Sequence, residues 1–172
     1  LLHRSTDIVE KVADGEIDLG ISGLDQVEEQ RGDRDDLIVI YEDLGFGRAE
    51  LVVAVPETWI DVSSWADLAD LAMEMNAQGH PIRIATKYPT LTRQFCYSNG
   101  INHFRLIDSQ GATEAAPGLG YADVIIDITE TGTTLRENQL KIVGGSILRS
   151  QACLIAHRQN LRTSTERRTA VR

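Results

Sequence analysis

The apolar and polar positions along this chain alternate between two periods from one end to the other. Apolar residues recurring every three or four positions predict helices near 7–14, 24–30, 64–77, 90–99, 111–119, 132–138 and 162–170. Short, β-branched runs predict strands near 17–21, 37–41, 50–55, 82–86, 104–108, 123–128, 140–143 and 147–156. Gly15 and Gly100 stand where helix C-caps belong, and Ser64 followed by Asp67 is a capping box with aspartate in place of glutamate. Ser5, Thr6 and Asp7 are candidate caps ahead of Ile8 and Val12. Helices alternating with strands throughout imply an α/β fold.

A short internal echo bears on the organisation. Gly15-Glu-Ile-Asp18-Leu-Gly-Ile21 returns in outline as Gly120-Tyr-Ala-Asp123-Val-Ile-Ile126, each a helix-ending glycine, a spacer, an aspartate and a strand that turns into a new helix. Two copies of one unit suggest two related lobes with a ligand cleft between them; a common αβ loop accounts for the match equally well. The strand around Leu51 to Val55 ends at Pro56, and Trp59 to Ser64 reads as a connector. The expected division is therefore residues 1–56 in a first lobe and 57–150 in a second, with 151–172 returning to the first lobe through the apolar run Ala152 to Ala156 and ending in an arginine-rich tail.

Composition narrows the classes. The chain has 172 residues, 42% of them hydrophobic, enough to bury a core. Its net charge of −9 argues against a nucleic-acid surface, although loop N–H groups and a few arginines can still bind a small anion. Cys96 and Cys153 fit two buried free thiols in a reducing compartment, the cytoplasm or an organelle matrix. No apolar stretch approaches the roughly 20 residues that span a bilayer. His3, His80, His103 and His157 have no ligand spacing, so no zinc site and no histidine base is assigned.

The segment with the most chemistry is Asp123 to Leu135. Val124, Ile125 and Ile126 form an uninterrupted β-branched run, as in a strand covered on both faces, and Asp127 follows toward the end where open α/β sheets bind ligands. Thr129, Thr131, Thr133 and Thr134 add hydroxyls, and Gly132 lets the backbone approach an anion at the start of the next helix. That combination suits a sugar phosphate, with Asp127 accepting from ribose hydroxyls or holding Mg²⁺. A strand followed by an ordinary threonine N-cap is the plainer alternative.

With those residues in view, the chain resembles the catalytic core of ATP phosphoribosyltransferase, the enzyme family that begins histidine biosynthesis, from about Arg4 to Ala156. Glu114, Gly120, Ala122, Ile125, Asp127, Ile128, Thr131, Gly132, Thr134 and Leu135 fill its signature. Asp18 to Asp25, Phe46-Gly47, Arg83 to Pro89 and Ser150 to Ile155 match further segments.

The resemblance implies two periplasmic-binding-protein-like lobes and transfer of phosphoribosyl from phosphoribosyl pyrophosphate (PRPP) to N1 of ATP, releasing pyrophosphate, with Mg²⁺ carried on PRPP. It implies that Glu114, Asp127, Thr129, Glu130, Thr131, Gly132, Thr133 and Thr134 hold PRPP. Asp25, Lys87 and Tyr88 then contact ATP, and Arg4 stabilises charge on the leaving pyrophosphate. It also implies a homo-oligomer, with or without a separate regulatory subunit. Family members carry roughly fifty residues ahead of the point matching Leu1, with a first strand and a lysine-glycine loop, so Leu1 reads as the edge of a fragment. Arg48-Ala49 departs from the family's usual residues after Phe-Gly. The alternative function is a non-catalytic two-lobe module that closes on a small anionic solute or serves as a regulatory domain.

Overall fold

The computed structural model describes residues 5–32, 34–109 and 111–161. The expected helix near 162–170 and Arg4 lie outside them. The chain forms two compact units, one of residues 1–48 and 149–172, the other of residues 49–148.

In the first unit, α1 (Ser5–Ala13), β1 (Leu19–Gly23), α2 (Leu24–Arg31) and β2 (Leu37–Tyr41) are joined by the returning strand β8 (Ala152–His157). β8 lies between β1 and β2 and is antiparallel to both, Leu19 opposite Ala156 and Ile38 opposite the same residue. One face of this sheet meets the helices: Val9 and Val12 of α1 and Val27 of α2 pack on Leu37, Cys153 and Ile155. Residues one step along the strands point the other way, which is why Leu19, Ile21 and Ile40 are exposed.

The second unit contains β3 (Ala49–Pro56), α3 (Trp65–Ala77), β4 (Ile82–Thr86), α4 (Pro89–Ser98), β5 (Phe104–Asp108), β6 (Val124–Thr129), α5 (Thr133–Glu137) and β7 (Leu140–Ser150), the last strand running past the unit's end. The sheet order is β5-β4-β6-β3-β7, with β4 parallel to β5 and β6, and β3 antiparallel to β6. Both faces are covered. Leu51, Val53, Ile84, Val124 and Ile126 pack toward Leu68 of α3 and Phe95 of α4, while Val52, Ala54, Ala85 and Ile125 pack toward Leu135 and Leu140. This is the physical basis of the unbroken β-branched runs.

Three expectations change. The crossing falls before β3, not after Pro56, because β3 pairs with β6 and so belongs to the second unit. The expected helix over 111–119 shrinks to a single 3-10 turn, Thr113–Ala115, since Pro117 and the glycines around it cannot continue a helix. The strands expected at 140–143 and 147–156 are divided instead at Gln151. β7 runs through Gly144, whose φ of 68° and contact with the Trp65 indole leave no room for a side chain, and Trp65 Nε1 donates to Val143 O at 3.0 Å.

A clasp at the amino ends of β4 and β6 aligns the two parallel strands. The Asp123 carboxylate accepts from the Arg83 backbone N–H and from its guanidinium, all between 2.8 and 3.1 Å. Burial pushes the Asp123 carboxyl up, but these donors outweigh it and hold it below its ordinary range.

Candidate functional site: a threonine loop at the carboxyl ends of two parallel strands

β6 is the central strand of its sheet, and β4 runs parallel beside it with Thr86 opposite Ile126. The next residues, Lys87 and Asp127, therefore emerge side by side. Asp127 Oδ1 accepts from the Ile128 N–H at 2.8 Å, and Oδ2 lies 3.8 Å from Lys87 Nζ. The carboxylate is 12% exposed and the ammonium 45%, so Lys87 can move away while Asp127 stays anchored.

The bend after β4 is set by buried Thr86, whose Oγ1 accepts from the Tyr88 N–H at 2.9 Å and pairs with Thr92 Oγ1 at 3.1 Å. It turns Lys87 outward and Tyr88 inward. Tyr88 is 4% exposed and packs in the core with Ile84 and Phe95. Lys87 lines one pocket with the threonine loop.

That loop is a tight turn built from its own hydroxyls. Thr129 Oγ1 accepts from the Gly132 N–H at 2.9 Å, and Gly132 takes the left-handed conformation with φ of 71°, which costs other residues about 1–2 kcal/mol. The Thr131 and Thr133 hydroxyls lie 2.9 Å apart, and the Thr133 N–H points at Thr131 Oγ1 at 3.4 Å. α5 has only five residues, so its dipole adds little and the hydroxyls and loop amides carry the site. Glu114 comes from the 3-10 turn, where the Ser109 hydroxyl donates to buried Thr113 at 3.0 Å.

These pieces enclose a cavity of about 380 Å³ lined by Lys87, Glu114, Asp127, Thr129, Glu130, Thr131, Thr133 and Thr134, with Ile125, Ile128 and Leu135 as apolar walls. Seven of the residues that the sequence groups around the threonine loop thus converge, joined by Lys87, with Gly132 at the turn. Arg136 was missed by the sequence reading, because an exposed arginine late in a short helix carries no local signal; it donates to Thr131 O and to Thr133 Oγ1.

Asp25 belongs to the first unit, at the start of α2. It is 8% exposed; the Ser150 hydroxyl donates to its Oδ1 at 2.6 Å and accepts from its backbone N–H at 3.0 Å. Ser150 is a second residue whose part the sequence did not show, 125 positions away. Cys96 and Cys153 are buried free thiols, the first pushed up to about 12 and the second also raised, chiefly by burial, so neither is a nucleophile.

The sequence model of the HisG, ATP phosphoribosyltransferase, family matches residues 4–171. The chain belongs to the ATP phosphoribosyltransferase family. It is 48% identical over 171 residues to the ATP phosphoribosyltransferase of Brucella melitensis, covering 98% of this chain and 73% of that one. To that of Mesorhizobium japonicum it is 49% identical over 158 residues, 90% and 68% of the two chains.

Among solved structures it is similar to the ATP phosphoribosyl transferase (HisG:HisZ) complex from Thermotoga maritima, with a TM-score of 0.77 at 29% identity over 99% of this chain and 74% of that one. The arginine-bound form of a truncated ArgBP from the same organism, at a TM-score of 0.51 and 14% identity over 90% of this chain and 66% of that one, shares the fold. The architecture is the α/β, periplasmic-binding-protein-like one expected from sequence.

Proposed function

We propose that this chain transfers the phosphoribosyl group of PRPP to N1 of ATP with release of pyrophosphate, the first step of histidine biosynthesis, and that the threonine-loop cavity is its PRPP site. The observation that carries this reading is the convergence of Asp127, Glu114, Lys87 and the loop from Thr129 to Thr134 on one cavity of the second unit. Ribose hydroxyls donate well to Asp127, whose carboxylate is held in place by its neighbour's amide. The 5-phosphate suits the Thr131 to Thr134 hydroxyls and amides, which bind an anion without a dense cluster of cations.

In the reaction the adenine N1 lone pair forms the bond to ribose C1, and the C1–O bond breaks with its electrons leaving on pyrophosphate. Adenine N1 is already a nucleophile, so the task of the protein is to orient both substrates and stabilise the leaving group. We assign the last role to Arg4. Lys87 serves the ribose and pyrophosphate side of the reaction, and Asp25 the nucleotide.

A carboxylate such as Asp127 suits Mg²⁺ as one ligand among several. Among the described residues no group of three acidic, histidine or cysteine side chains could hold a metal by itself, and in this reading Mg²⁺ is carried with PRPP. Bound there it would offset charge on the departing pyrophosphate. That the similar Thermotoga maritima protein is a HisG:HisZ complex favours an assembly of several chains, as a homo-oligomer or with a separate regulatory subunit. A cytoplasmic biosynthetic enzyme fits this reading, and no helix among the described residues is long and apolar enough to cross a membrane.

Asp127→Asn keeps the shape and removes the charged acceptor. Its PRPP affinity, measured by titration calorimetry, should fall by roughly 1.5–3 kcal/mol. Unchanged affinity sinks the assignment.

A further inference from the structure

We infer that Arg136 is a positioning residue for the phosphate-binding loop, setting the direction in which the Thr133 and Thr131 hydroxyls donate and supplying positive charge behind them. This rests on the reading of the cavity as the PRPP site. The guanidinium reaches back from α5 over the loop, Nη1 donating to Thr131 O at 3.3 Å and Nη2 to Thr133 Oγ1 at 3.2 Å. It also packs on the turn, since a Cβ at Gly132 would lie 3.3 Å from Nη1.

A guanidinium only donates, so its bond to Thr133 Oγ1 takes one of that hydroxyl's two acceptor positions and favours donation from Thr133 to Thr131 Oγ1, 2.9 Å away. Thr131 Oγ1 also receives the Thr133 N–H at 3.4 Å. In that arrangement both acceptor positions of Thr131 Oγ1 are filled, and its own proton is left for a ligand in the cavity, which both threonines line. The guanidinium thus orders a chain of hydroxyls that could otherwise point either way, and such chains strengthen when their polarity is fixed.

Charge adds to this. Among the described residues the cavity presents three carboxylates, Glu114, Asp127 and Glu130, against the ammonium of Lys87, a poor field for a phosphate. Arg136 brings a further cation to the loop and is not among the residues that line the cavity.

The test uses the chain with Arg136→Leu, Arg136→Lys, Thr133→Val, the double variant Arg136→Leu/Thr133→Val, and Asp127→Asn as a control. Each is titrated with PRPP and separately with ATP, and its thermal midpoint is recorded. Arg136→Leu should weaken PRPP binding roughly tenfold, as for loss of a charge-assisted contact, with ATP affinity and midpoint little changed. Arg136→Lys should recover part of the loss, because it keeps the charge but not the fork. The double variant should lose less than the sum of the two single losses, since Arg136 acts in part through Thr133. Unchanged PRPP affinity in Arg136→Leu, beside a weakened Asp127→Asn, overturns the role of Arg136 alone. Additive losses, or equal losses for ATP and PRPP, overturn it as well. If Asp127→Asn also binds PRPP normally, it is the underlying reading of the cavity that fails.

Discussion

Lys87 and Tyr88 are consecutive, and the structure sends them opposite ways. The Thr86 hydroxyl captures the Tyr88 amide and bends the chain, so one side chain joins Asp127 and the other joins Phe95. At this scale, the carboxylate, the hydroxyls and the glycine of the loop were legible because each is defined by its own neighbours in sequence. The inward turn of Tyr88 was not, because it depends on Thr92, a turn of helix further on. The loop itself invites a paired test. Thr131→Val deletes a hydroxyl, and Gly132→Ala forces a Cβ into the left-handed region beside Arg136. Both should weaken PRPP binding more than ATP binding, and Gly132→Ala should also lower stability by about 1–2 kcal/mol. Equal losses of both ligands in titrations would mark the loop as a folding element and not a phosphate site.

Among the elements, α3 shows how local chemistry sets a boundary. Asp67 N donates to Ser64 Oγ at 3.2 Å, and the Asp67 carboxylate accepts from Ser64 N at 2.8 Å and Ser63 N at 2.9 Å. Hydrogen bonds from the Ser63 amide first, then from the Ser64 hydroxyl and amide, lower Asp67 from its ordinary 3.8 to about 2. A carboxylate depressed in the folded state adds stability above its unfolded value and loses it as protonation overtakes the folded one. Thermal unfolding should therefore show a contribution from Asp67 that fades between about pH 4 and pH 2 and is missing from Asp67→Asn; parallel pH profiles for the two proteins would count against it. Ser64→Ala should cost about 1 kcal/mol in denaturant melts at neutral pH.

For the whole molecule, the two units differ in how their sheets are protected. In the second unit β6 and its neighbours β4 and β3 lie inside a five-stranded sheet with cores on both faces. In the first, β1 and β2 each pair only with β8 among the described strands, and Leu19, Ile21 and Ile40 are exposed on the face away from the helices. Amide hydrogen exchange should be slowest in β3, β4 and β6 and faster in β1 and β2, since local opening costs least where few apolar contacts are broken. Uniform protection across both units would show that they open as one.

The sequence by itself determined the α/β alternation, the buried strand leading to Asp127, the turn at Gly132 and the cap at Ser64. Each of these follows from burial, dihedral preference or hydrogen bonding among residues a few positions apart. Only the tertiary structure decided that β3 joins the second unit, that Lys87 stands beside Asp127, and that Ser150 holds Asp25 from 125 residues away. It also decided how Arg136 folds back over Thr131 and Thr133. The reason is that periodicity specifies which face of an element is buried, whereas strand order and side-chain partners depend on where the chain returns, and that is settled by packing across the finished sheets.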